Sequence, residues 1–138
     1  MSRNLWAGIA AVVVVAAVIV LGFRNIGGPR EQRQIHQDNH TVYILSVLAG
    51  QVDNAWNTSG KVLPADLGRF PDNTRNPTTH APFIYRPKGD RQYELCTTFL
   101  TDTTALNEHM FWAHPKGNYC FQFDASVAVA QTPYDDAY

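Results

Sequence analysis

Residues Leu5 to Phe23, LWAGIAAVVVVAAVIVLGF, run for nineteen positions without a charge or a strongly polar side chain. A helix of that length, at about 1.5 Å per residue, reaches roughly 28 Å, the thickness of a bilayer's hydrocarbon core. A cleaved secretory signal has a shorter apolar core, roughly 7 to 15 residues, followed by small residues at the cut. Gly22, Phe23, Arg24 and Asn25 offer no such site, and no cysteine follows as a lipoprotein anchor requires. The run is therefore read as an uncleaved transmembrane signal anchor over residues 1–24. Trp6 and Phe23 stand at its two interfaces, and Gly8 lies among small residues that permit close helix packing. No His, Asp, Glu or Lys falls inside it, so no pigment ligand, proton relay or ion site is expected there.

Beyond Arg24 the chain becomes polar, aromatic and rich in turn residues. Residues 25–124 are long enough for one domain with one core, and residues 125–138, ending in Pro133-Tyr134-Asp135-Asp136, read as a C-terminal acidic tail. Eleven basic and twelve acidic residues are scattered without a basic stripe, which argues against nucleic acid as a partner.

Two signals conflict over which side of the membrane this head occupies. Arg24, Arg30 and Arg33 follow the anchor and, by the positive-inside rule, hold the head in the cytoplasm. The two cysteines and the head's composition point outward. The expectation is a bacterial inner-membrane protein with a periplasmic head.

From about Arg30 to Asn57 the pattern is helical. Ile35, Val42, Leu45, Ala49, Val52 and Trp56 recur at spacings of seven, three, four, three and four, one apolar stripe on an amphipathic helix. Gly60 supplies a left-handed stop, with Pro64 just beyond. Val62 to Pro82 reads as a long connection in which Pro64-Ala65-Asp66-Leu67 is expected to make one helical turn. Phe83 to Arg86 and Arg91 to Leu100 then read as two strands of a hairpin about a Pro87–Asp90 turn, with Tyr93, Leu95, Thr97 and Phe99 on one face. Asn118 to Asp124 is a third strand, its Tyr119, Phe121 and Phe123 facing one way. The fold class is thus α+β, a transmembrane helix followed by an amphipathic helix packed on an antiparallel sheet of about three strands.

Cys96 and Cys120 are the only cysteines, and each falls on a predicted strand opposite that strand's aromatics. If the strands are neighbours the pair can meet in a disulfide; two separate thiols and half of a metal site are the alternatives. No CxxC spacing is present.

The order of parts resembles type IV pilins and type II secretion pseudopilins. It rests on the apolar helix running into an amphipathic one, the Gly60–Pro64 loop in NTSGKVLPADL, and the strands in APFIYRPKGDRQYELCTTF. A later H-x-x-G-x-x-C stretch, His114 to Cys120, resembles membrane-anchored bacterial proteins of pseudopilin-like form. The resemblance covers about residues 30–124 and implies a pilin-like head. The chain departs from the family at its amino end. No Gly precedes the apolar run as a prepilin cleavage site, and no Glu lies within it.

His36 and His40 sit at i, i+4 on the predicted helix, a spacing able to hold a metal, but with no third ligand in register two solvated imidazoles are expected. His80, His109 and His114, and Asp66, Asp72 and Asp102, fall on loops without a catalytic or calcium-binding spacing. No catalytic residue, metal or cofactor is expected, nor a small-molecule substrate. Trp112, His114 and Tyr134 are the expected partner-binding surface. The expected partners are the lipid bilayer and other transmembrane subunits of a membrane complex, which makes the chain a non-catalytic accessory subunit. A minor pseudopilin or pilus component is the alternative.

Overall fold

A computed structural model describes residues 2–26, 28–105 and 110–130, with the side chains of residues 2–5, 23, 25 and 26 left aside. Helix α1 spans Ser2–Ile26, α2 spans Pro29–Thr58, and a single 3-10 turn covers Pro71–Asn73. Strands β1 (Ile84–Pro87), β2 (Gln92–Phe99) and β3 (Gly117–Asp124) form an antiparallel meander with β2 in the centre. The architecture is α+β, as the periodicities predict. The chain divides into two units, Met1–Arg33 and Gln34–Tyr138.

In the first unit α1 carries its apolar side chains in the open. From Trp6 to Leu21 no residue is buried, and the valines, isoleucines and leucine there are about half exposed or more. Among the described residues no helix is long and apolar enough to cross a membrane. The described side chains cover Trp6 to Gly22, whereas the apolar run of the sequence extends one residue further at each end, to Leu5 and Phe23.

The second unit is built on the stripe of α2. Val42, Leu45, Leu48, Ala49, Val52 and Trp56 are buried against Tyr93, Leu95 and Phe99 of β2, Phe121 and Phe123 of β3, and Phe83, Trp112 and Ala125 from the flanking segments. Fully burying an aliphatic or aromatic side chain of this size stabilises by about 1.5–3 kcal/mol, and the set is contiguous. Cross-strand register explains why one sheet face is aromatic. Tyr93 opposes Phe123, Leu95 opposes both Tyr85 and Phe121, and Thr97 opposes Tyr119. Tyr93 and Phe123 stack with centroids 5.2 Å apart, and Phe99 meets Phe121 edge-on at 5.9 Å.

The helix stop is the expected one. Gly60 takes φ 73°, and the Lys61 N–H donates back to the Trp56 carbonyl at 3.0 Å, the six-to-one bond that closes a Schellman end. The helical turn expected at Pro64–Leu67 is absent. Asp66 accepts from the Gly68 N–H at 2.8 Å instead, and this local side-chain bond competes with the helical one.

Cys96 and Cys120 are direct partners in the β2–β3 register and form a disulfide. The alternatives of free thiols or a half metal site are thereby settled. Closing a loop of 24 residues stabilises the folded state by about 3.5 kcal/mol when the unfolded chain is otherwise unconstrained. Urea unfolding of the full chain in detergent, followed by tryptophan fluorescence, is expected to show a lower midpoint and an unfolding free energy smaller by that amount on reduction or in Cys96→Ser/Cys120→Ser. Thiol titration of the denatured, unreduced chain is expected to find no free thiol.

Candidate functional site

The most concentrated polar chemistry inside the head lies where α2 passes the end of β2. Asp38 is 2% exposed although it sits on α2 amid hydrophobic neighbours. Its carboxylate accepts from three donors. These are the Leu100 N–H at 2.9 Å (Oδ1) and 3.0 Å (Oδ2), the Thr101 N–H at 2.7 Å, and the Thr101 hydroxyl at 2.6 Å. A buried carboxylate is tolerated only when its oxygens are saturated in this way. The geometry is that of an anion seated on two consecutive backbone amides, and both carboxylate oxygens are engaged.

His114 closes the same corner. Its ring, 1% exposed, stacks on Phe99 with centroids 3.7 Å apart and planes 16° from parallel. Its backbone is locked to Thr103, whose N–H donates to the His114 carbonyl at 2.9 Å while the His114 N–H donates to the Thr103 hydroxyl at 3.1 Å. Burial holds the imidazole below its ordinary pKa of 6.5; the charge of Asp38 and the Pro115 carbonyl, 3.4 Å from Nδ1, pull the other way and are outweighed.

Two further buried groups serve the same purpose. The Tyr93 hydroxyl donates to Asp53 Oδ1 at 2.7 Å and lies 3.1 Å from the Ala49 carbonyl. Burial and then that bond push the phenol far above its ordinary value, and burial also raises Asp53. Asn76, 1% exposed, donates to the Thr97 hydroxyl (2.9 Å) and the Thr98 carbonyl (3.2 Å) and accepts from the Thr78 and Thr79 N–H groups. It thereby folds the loop around residues 74–83 onto β2. On the opposite sheet face Glu94 is held by Gln122 and Lys88, with Arg86 at 4.0 Å, and the Gln122 amide foremost keeps its carboxyl below the usual range.

Two of the residues expected to form a partner surface are buried instead. Trp112 and His114 are 4% and 1% exposed, so they belong to the core rather than to the surface. Trp112 packs on Phe121 and Phe123, and its indole N–H donates to the Ala130 carbonyl at 2.9 Å. Tyr134 and His109 lie outside the described residues. Met110 and Phe111 are exposed, and Phe111 borders an apolar groove of about 270 Å³ lined also by Phe123, Val127 and Val129. Trp6 is 71% exposed on α1, nothing lies within 4 Å of a side chain built at Gly8, and the Phe23 side chain lies outside the described set. His36, His40 and His80 are exposed. Among the described residues the one trio of candidate metal ligands is Glu94, Cys96 and Cys120, and its sulfurs are bonded to each other.

Asp38 went unnoticed in the sequence although its signal is there. The spacing of seven between Ile35 and Val42 skips position 38, which completes an unbroken three-four alternation from Ile35 to Trp56. A carboxylate in phase with an apolar stripe marks a buried acid with a built partner set.

No family model, curated protein or solved structure matches the chain.

Two outcomes follow from this corner. Asp38→Asn places an amide against N–H donors and is expected to cost about 3 kcal/mol of stability, read from the urea midpoint. His114 has its pKa depressed in the folded state, so the unfolded chain binds more protons just below pH 6.5. Its stabilising effect is complete above that pH and is lost as pH falls, by up to about 1.4 kcal/mol per pH unit. His114→Phe, which keeps a stacked ring, is expected to flatten the slope between pH 7 and 5.

Proposed function

We propose that the chain is a single-pass, membrane-anchored, non-catalytic accessory subunit of a larger bacterial membrane complex, with its disulfide-bonded head on the periplasmic side. The observation that carries this reading is α1, whose side chains from Trp6 to Leu21 are apolar on every face and nowhere buried. A helix hydrophobic all round belongs in lipid or among other apolar helices. With Leu5 and Phe23 the run has the length of a hydrocarbon core, and the structure carries it as one continuous helix of 25 residues. The Cys96–Cys120 disulfide supports an oxidising compartment for the head.

Support for a structural rather than a catalytic role comes from how the buried polar groups are used. The side chains of Asp38, Asn76 and Tyr93 bind backbone or side chains of the head itself, and the His114 ring is stacked on Phe99 with Nδ1 near the Pro115 carbonyl, which leaves them little capacity for a substrate. A second reading, a minor pseudopilin or pilus component, draws on one feature, the long helix packed against an antiparallel meander.

Expression in a bacterial host, alkaline carbonate extraction and native electrophoresis in mild detergent test the proposal. The chain is expected to stay in the membrane pellet and to migrate with partner chains. Release into the soluble fraction overturns the anchor, and migration as a lone chain overturns the subunit role. Amino-terminal sequencing separates the two readings, since a processed, N-methylated start belongs to a pseudopilin and an intact Met1 to the subunit.

A further inference from the structure

We propose that the segment from Arg24 to Arg33 binds the phosphate groups of anionic phospholipids where α1 leaves the bilayer. This rests on the anchor reading above and adds a lipid class to it.

The segment holds three arginines and one acid, Glu31, for a net charge of +2 in ten residues, against −1 for the entire chain. Arg24, Arg30 and Arg33 are all exposed. The ion pairs among the described residues are made by Arg86, Lys88 and Arg91 in the head, and none involves these three. Glu31 is a poor internal partner, because helix neighbours one and two positions apart do not face each other. Arg30 and Arg33, three apart in α2, share a face. The start of α2 is fixed at that point, with the Gly28 carbonyl accepting from the Glu31 N–H at 3.0 Å and the Gln32 N–H at 3.2 Å. Arg24 is the basic residue of the last turn of α1, directly after the apolar run.

An arginine fork matches phosphate oxygens two at a time and sheds its hydration more readily than an ammonium. Arg24 stands one residue past a bilayer-length apolar run, and Arg30 and Arg33 follow within ten residues, so the headgroups are the nearest anionic surface to such forks. That continuity selects a lipid phosphate over a free phosphate or an acidic protein surface, because neither of those is held at the end of the run. It also gives the arginines a task on the outer leaflet, where the positive-inside rule does not place them.

In the test, the full chain is incorporated into vesicles of phosphatidylcholine mixed equally with phosphatidylglycerol and extracted in mild detergent, and its retained lipid is measured by native mass spectrometry. The expected result is enrichment of phosphatidylglycerol by about fivefold for each arginine engaged, weakening as salt is raised. Arg24→Gln/Arg30→Gln/Arg33→Gln is expected to retain the two lipids as supplied. Equal retention by the unaltered chain overturns the proposal and leaves an acidic partner as the use of these charges, and so does an undiminished preference in the triple variant. Loss of the preference in inorganic phosphate, where sodium chloride of equal ionic strength leaves it, reassigns the site to free phosphate and overturns the lipid. Flotation with vesicles of phosphatidylcholine alone reports the anchor separately, since it requires no anionic headgroup.

Discussion

The buried carboxylate of Asp38 fixes how the helix of the head meets its sheet. Apolar burial is non-directional, so it fixes where α2 lies on the aromatic face less sharply than a buried charge with set partners does. One charge that must find the Leu100 and Thr101 amides removes that freedom. Leaving it unpaired in the core would cost several kcal/mol, more than most single packing contacts contribute. With the start of the 100–117 loop held there, Phe99 is presented for His114 to stack on, the Thr103 N–H donates to the His114 carbonyl, and the His114 N–H donates to the Thr103 hydroxyl.

The same device recurs at smaller scale. Long connections without regular structure reach this core through the polar tips of aromatic side chains, each taking a carbonyl from a passing loop. Trp56 donates to the Asp90 carbonyl and so pins the hairpin turn under the end of α2, with Lys61 4.1 Å over its ring. Tyr85 donates to Pro64 and ties down the segment that follows α2, burial pushing its phenol up to about 12. Trp112 holds Ala130. An aromatic residue suits this work because its ring belongs to the core while its one polar atom reaches the rim.

What the sequence discloses and what it hides divide along physical lines. Strands β2 and β3 are legible because alternation along an extended chain sorts Tyr93, Leu95, Phe99, Phe121 and Phe123 to one face whatever lies beyond it. The helix end at Gly60 is legible because few other residues take its φ. The disulfide is legible once the strands are placed. Trp112 and His114 are misread as surface because burial in a loop follows from tertiary packing, with no period to announce it. Asn76 is invisible for the same reason, its four partners lying on its own loop and on β2. Asp38 is in phase with the stripe, but acids on helices are ordinarily solvated, and its burial depends on the Leu100 and Thr101 donors that only the tertiary fold supplies.

The covalent link between β2 and β3 limits how this head can associate. Cys96 and Cys120 sit inside an eight-residue register, with paired residues on both sides. An edge strand free at one end can be lent to a second molecule, the usual route to swapped dimers and open-ended fibres. Here β3 is stitched to its own neighbour at mid-length, so trading it between copies demands breaking a sulfur–sulfur bond. In the oxidised head β3 therefore stays with its own sheet, and β1 is the edge strand without a covalent tie.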